Sequence, residues 1–240
     1  MKVCPHDAIE LTEETVSIKR SHCDNCGKCA LVCNAGALMF LGKSMTVAEV
    51  VNEVKKDLVF FKHSHGGVTL SGGEPLLNPD FNVRLLQALK EENISVGIDT
   101  CGFVPWESID PVVPYTDFFL WDIKHMDPET HKKLTGVNNE LILENASKVS
   151  ERNVPIYIRL PVIPGYNDSE ENIRATCEFA RGLRSLVEVH LVPLHHLGKT
   201  RYQSLGRTYA IDNVPLIPDS VLQDMKKLVG AYGLECSINV

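Results

Sequence analysis

Gly67-Val-Thr-Leu-Ser-Gly-Gly-Glu-Pro75 joins a short run of strand-forming residues to a glycine turn, and then to a proline that suits the first turn of a helix. The two glycines permit positive φ and let backbone approach a ligand closely, although a bare Gly-Gly turn is more often structural. Upstream, Thr46 and Glu49 have the spacing of a capping box, and Val47, Val50, Val51, Val54 and Leu58 recur at helical intervals. Downstream, a helix with Phe81, Leu85, Leu86 and Leu89 on one face leads to the strand Ser95-Val-Gly-Ile-Asp-Thr100, and Phe118-Phe-Leu-Trp-Asp-Ile-Lys124 follows. Further strands are expected over 155–162, 188–194 and 234–240, with helices over 140–152, 170–183 and 220–231. Near-continuous apolar strands separated by amphipathic helices predict a parallel α/β sheet covered by helices, either curled as a barrel or open.

The composition bounds what such a sheet can serve. With 240 residues, 44% hydrophobic and 23% charged, the chain can bury one sizeable core. A net charge of -7 argues against a nucleic-acid partner, because phosphate recognition needs a basic face. Apolar runs such as 58–61 and 118–121 are too short to cross a membrane, and the first residues lack the apolar run of a signal peptide, so a cytoplasmic location is expected.

Residues 1–45 break the βα rhythm and form a first domain by this reading, with 46–240 as the second. Five of the eight cysteines fall within the first 33 residues, a clustering that reads as metal chemistry rather than a disulfide framework. Cys23, Cys26, Cys29 and Cys33 follow C-x2-C-x2-C-x3-C, the run that bacterial two-cluster ferredoxins use, in which the fourth cysteine serves the other cluster. Cys4-Pro-His-Asp-Ala-Ile9 and Cys33-Asn-Ala-Gly-Ala-Leu38 align as two copies of one half-motif, with Asn34 where the ferredoxin run has proline. Cys4 is therefore assigned with Cys23, Cys26 and Cys29 to one 4Fe–4S cluster, and Cys33 to a second whose other ligands would lie upstream of Met1. A structural zinc site is the alternative, but zinc modules separate their pairs by longer spacers. Cys101, Cys177 and Cys236 read as small buried hydrophobes, and His63, His65 and His196 as polar loop residues.

Charged residues also interrupt the apolar strands. Asp122 and Lys124 are two apart and point to one face, and Arg159 interrupts Ile156-Tyr-Ile-Arg-Leu160. Such charges are costly unless paired with each other or with a charged ligand. A mutual salt bridge is the plain explanation for one pair; interruptions at five successive strand ends call for a ligand.

Gly67 to Pro75 resembles the glycine-turn motif of radical S-adenosylmethionine (SAM) enzymes. Asp99-Thr-Cys-Gly102, Trp121-Asp-Ile-Lys124, Leu134-Thr-Gly136, Ile158-Arg-Leu-Pro-Val-Ile-Pro-Gly165 and Val192-Pro-Leu-His-His-Leu-Gly-Lys199 resemble, in order, the blocks of the activating enzymes of glycyl-radical enzymes. The resemblance implies a partial (β/α)6 barrel lacking its first strand, preceded by a remnant of a two-cluster ferredoxin-like module. It implies SAM contacts from Gly72, Gly73, Glu74, Asp99, Asp122, Lys124, Arg159 and His195, with a monovalent cation as a further candidate. It also implies a 5′-deoxyadenosyl radical that takes hydrogen from a glycine of a partner glycyl-radical enzyme, and a flavodoxin- or ferredoxin-type reductant. No C-x3-C-x2-C run for the catalytic cluster occurs in the 240 residues, so truncation and inactivity of the chain alone are expected. The alternatives are a non-catalytic iron–sulfur electron carrier or partner-binding protein, and a radical enzyme acting on a small molecule. Anaerobic reconstitution should load about four irons per chain with the absorbance of a 4Fe–4S cluster; stoichiometric zinc without iron sinks the assignment of Cys4, Cys23, Cys26 and Cys29.

Overall fold

The computed structural model describes residues 3–11 and 15–239, which form two compact units. The first comprises Met1–Met45 and His195–Asn213, the second Thr46–Leu194 and Val214–Val240. A segment between the last two long elements of the chain thus belongs with the cysteine-rich region, a membership that no local sequence pattern signalled.

In the first unit, β1 (Ile9–Leu11) pairs antiparallel with β2 (Val16–Ile18). Arg20 Nη2 donates to Ser204 O (3.2 Å) and joins the two stretches of the unit, which encloses a cavity of about 580 Å3 beside 37–41 and 203–206. The two half-motif copies share one backbone feature: Asp7 and Gly36, each three residues after its cysteine, both have positive φ (47° and 66°). In each copy the turn returns an amide to the sulfur, from Ala8 to Cys4 (3.3 Å) and from Leu38 to Cys33 (3.4 Å).

The second unit holds six parallel strands in sequence order: β3 (Gly67–Leu70), β4 (Ser95–Thr100), β5 (Phe118–Asp122), β6 (Ile156–Val162), β7 (Leu186–Pro193) and β8 (Cys236–Ile238). β3 and β8 are the two edges and do not pair, so the sheet is open rather than a closed barrel. The strand expected over 234–240 is short, and Val240 lies outside the described residues. The capping box at Thr46 is present, with both of its reciprocal bonds. After Pro75 the chain makes one tight 3-10 turn (Pro75–Leu77), and Asn78 then restarts it as the helix Pro79–Glu91, capping Phe81 N with its own Oδ1 (3.3 Å). His63 is not a loop residue: it lies in the helix Leu58–Ser64, and its Nδ1 contacts Val59 O (2.7 Å).

The strands alternate instead of being apolar throughout. Val96, Ile98, Phe119, Trp121, Ile156, Ile158, Leu160, Val189 and Leu191 are buried in one core with helix residues such as Leu85, Leu89, Ile142, Val149, Ile173 and Leu222. Their neighbours Asp99, Phe118, Leu120, Asp122, Tyr157, Arg159 and His190 face the other way and stay half-buried. One sheet face is therefore core and the other is available to a ligand. At the amino ends, Asp117 accepts the Val96 amide (2.7 Å) and the Lys90 ammonium. Burial pushes its carboxyl pKa up, but these bonds outweigh it and hold the group below its ordinary value.

Two glycines of the second unit are demanded by rings. A Cβ on Gly97 would stand 2.4 Å from the Phe118 ring, and one on Gly102 would stand 2.0 Å from the Trp121 ring at a φ of +69°. Gly102→Ala should therefore cost about 2–4 kcal/mol, the sum of a disfavoured backbone and an overpacked core. Urea unfolding reads this directly, and a loss under about 1 kcal/mol would show that the indole is not seated against this loop.

Candidate functional site

Polar side chains at the carboxyl ends of β3 to β6 form one connected string. Asp99 accepts from Ser71 Oγ of the glycine turn (3.2 Å) and pairs with Arg159 Nη1 (2.8 Å). Arg159 Nε faces Asp122 Oδ1 at 3.8 Å, and Lys124 Nζ meets Asp122 Oδ2 at 3.0 Å. Register makes this possible: Asp122 pairs with Arg159 across β5 and β6, and Asp99 lies opposite Leu120 one row below. Lys124 and Arg159 therefore approach the same carboxylate from the same side of the sheet. The mutual Asp122–Lys124 salt bridge is present, and it is part of a larger arrangement of two carboxylates and two cations.

The arrangement is not internally complete. Asp122 Oδ1 is buried yet has no hydrogen-bond partner, the Arg159 Nε distance being too long for one. This oxygen is covered, so an ammonium, a hydroxyl group or a cation would reach it only as the Arg159 side chain moves aside. Beside it the glycine turn is open: at Gly72 (φ +128°) and Gly73 no heavy atom lies within 4 Å of where a Cβ would be. The donor and acceptor chemistry of these residues fits a zwitterionic nucleoside such as SAM.

Glu74 behaves differently from its two glycine neighbours. Its Oε1 accepts from Leu76 N (3.1 Å) and Thr100 Oγ1 (2.7 Å), and its Oε2 from Cys101 N (3.2 Å). Its carboxylate thus ties the glycine turn to the end of β4. Cys101 is correspondingly not an inert buried hydrophobe: it is half-buried, with Sγ 3.3 Å from Glu74 Oε2. Burial pushes its thiol pKa up, and the Glu74 charge adds to this. Cys177 and Cys236 are buried as expected, and burial raises both to about 11.

A second row on the same sheet face went unnoticed in the sequence. The Tyr157 ring packs edge-on to Phe118 (5.8 Å) and lies 5.1 Å from the His190 ring. His190 Nε2 in turn meets Glu188 Oε2 (3.2 Å). The alternation Val187-Glu-Val-His-Leu191 was the available signal. His195 follows β7 by two residues and belongs to the first unit, where its carbonyl accepts from Tyr209 Oη (3.5 Å).

In that unit Cys4, Cys23, Cys26 and Cys29 line one small pocket, while Cys33 is not among its lining residues. Amides of Ala8 and Asn25 point at Cys4 and Cys23 sulfurs (3.3 and 3.4 Å), and the Leu38 amide holds the Cys33 thiol pKa below its ordinary value. Among the described residues no group of three or more His, Cys, Asp or Glu side chains is placed to hold a metal ion as it stands. Four thiols with amide donors at two sulfurs are the donor set of a 4Fe–4S cluster, but the pocket, at about 20 Å3, would have to widen to take one.

The radical SAM superfamily profile matches residues 22–177. The chain is 38% identical over 235 residues to isethionate sulfite-lyase activating enzyme of Oleidesulfovibrio alaskensis, covering 96% of this chain and 75% of that protein. It is likewise 38% identical over 247 residues to (2S)-3-sulfopropanediol dehydratase activating enzyme of Klebsiella oxytoca, covering 99% and 77%. Among solved structures, a domain of pyruvate-formate lyase-activating enzyme from Bacteroides vulgatus superposes with a TM-score of 0.62 at 34% identity, over 73% of this chain and 99% of that one. With the open six-stranded sheet, the glycine turn and the charge string, these matches establish that the chain belongs to the radical SAM superfamily, in its branch of activating enzymes for glycyl-radical enzymes.

Proposed function

We propose that this chain binds SAM at the carboxyl ends of β3 to β6 and serves the activation of a glycyl-radical enzyme, with an auxiliary 4Fe–4S cluster held by Cys4, Cys23, Cys26 and Cys29. The observation that carries the reading is the half-buried Asp99–Arg159–Asp122–Lys124 string on the sheet face away from the core, with the unpaired Asp122 Oδ1 within it. A reduced cluster together with SAM would supply one-electron cleavage of the sulfonium, and the resulting 5′-deoxyadenosyl radical would take hydrogen from a glycine Cα of the partner.

The residues of this chain do the binding. Lys124 and Arg159 would take the ligand's carboxylate, each releasing part of its hold on Asp122. Asp122 Oδ1 would accept an ammonium or ribose hydroxyl, or share a monovalent cation with Asp99. Gly72 and Gly73 would let the turn approach the methionine end closely, while Leu120 and Tyr157, a register pair on the same sheet face, would give the site an apolar floor. Cys33 would serve a second cluster. The relatives' names point to a protein substrate, and a flavodoxin- or ferredoxin-type donor in the cytoplasm would supply the electron.

The 240 residues contain no C-x3-C-x2-C run, so the cleaving cluster needs ligands that these residues do not provide. The chain alone should then bind SAM without turning it over. Titration calorimetry should detect SAM binding that Arg159→Met or Asp122→Asn weakens about tenfold or more, and dithionite with SAM should yield no 5′-deoxyadenosine above background. Absence of binding by a folded chain that carries iron would favour the electron-carrier reading, and turnover would show the catalytic ligands to be misassigned.

A further inference from the structure

Where β5 ends at Asp122 the chain leaves the sheet, and backbone groups that a strand partner would have satisfied must find other bonds. Ile123 N still donates to Arg159 O (2.9 Å). Beyond it, three asparagine side chains replace the ladder. Asn167 Nδ2 donates to Lys124 O (2.9 Å) and to Pro161 O (2.5 Å), while its Oδ1 accepts from Ile163 N (2.7 Å). Asn139 Nδ2 donates to His125 O (3.0 Å) and Met126 O (2.8 Å). Asn172 Oδ1 accepts from Met126 N (2.8 Å), and its Nδ2 donates to Asn167 O (2.9 Å).

These amides are 1–3% exposed, although loop backbone is ordinarily satisfied by water at no such desolvation cost. Their placement has a geometric meaning. Asp122 and Arg159 are a register pair, and the two carbonyls that Asn167 bridges belong to the residues two further along each strand. Asn167 therefore adds one side-chain rung to the sheet just where pairing of β5 with β6 stops. That rung fixes the backbone of Lys124, whose ammonium reaches back to Asp122 Oδ2.

We propose that Asn167 is a positioning residue for SAM binding, acting through Lys124, with Asn172 holding Asn167 in turn. This inference rests on the SAM site proposed above.

Two readouts on the 240-residue chain test it. Hydrogen exchange in the free protein reads the clamp itself: Asn167→Asp keeps the acceptor for Ile163 N but loses both donors, and should speed exchange of the amides of residues 123–126 about tenfold or more. Calorimetry reads the ligand: the same variant should weaken SAM binding about tenfold, whereas in a Lys124→Met background it should weaken it no further, as expected when one residue acts through the other. Ser150→Ala is the control, since Ser150 Oγ is a buried acceptor for Ser185 N (3.1 Å) ahead of β7; it should lower stability and leave SAM affinity unchanged. If Asn167→Asp does not fold, Asn172→Ser, which removes the acceptor of the Met126 amide, takes its place with the same expectations. Unchanged exchange, unchanged affinity, or an equal loss in the Lys124→Met background each overturns the proposal. A wild-type chain that binds no SAM while exchange responds as expected overturns the ligand assignment and upholds the clamp.

Discussion

Arg159 stands between Asp99 and Asp122, and the carboxyl edge of the sheet is organised around that guanidinium. Two carboxylates on adjacent strands repel when both are ionised and half shielded from water, and a planar cation reaching both relieves the repulsion. For one arginine to do this, β6 must lie beside β5 with Arg159 level with Asp122, and β4 must bring Asp99 within reach on the far side of β5. The observed strand order and register meet these conditions. Lys124 and Ser71 then complete the string at its two ends.

The architecture of the second unit was legible because it rests on local pattern: six strands, the helices between them, and a capping box that forms as its spacing requires. The charged positions were legible too, since Asp122, Lys124 and Arg159 are conspicuous in apolar surroundings. What the sequence hid was contact between distant residues. Nothing local distinguishes Asn167 or Asn145 from ordinary turn residues, yet Asn145 Nδ2 holds both Gly102 O and Val104 O (2.9 Å each). Cys101 looked like a small hydrophobe because its partner, Glu74, lies 27 residues away. The alternation of β5 to β7 was masked by aromatic and leucine side chains, which read as core whichever face they occupy.

The weak repeat of the cysteine-rich unit shares a turn, with its returning amide one residue later in the second copy. Asp7 and Gly36 share little chemistry, but both tolerate the left-handed conformation that lets the turn bring an amide back to sulfur. Asn34, where the ferredoxin run has proline, leaves that geometry intact in the second copy. In the second copy the Leu38 amide aimed at the Cys33 sulfur favours its thiolate, the form that binds metal.

The discontinuity of that unit bears on how the chain is made. Its cysteines leave the ribosome early, but the segment 195–213 that completes the unit is synthesised only after seven of the eight strands. At translation rates of roughly 5–20 residues per second, the thiols wait about 10–40 s before their unit can close. During that interval they are held only by local turns and the β1–β2 hairpin, and are open to oxidation or to stray metal. Anaerobic growth, or an escort for the nascent segment, would protect them in that window.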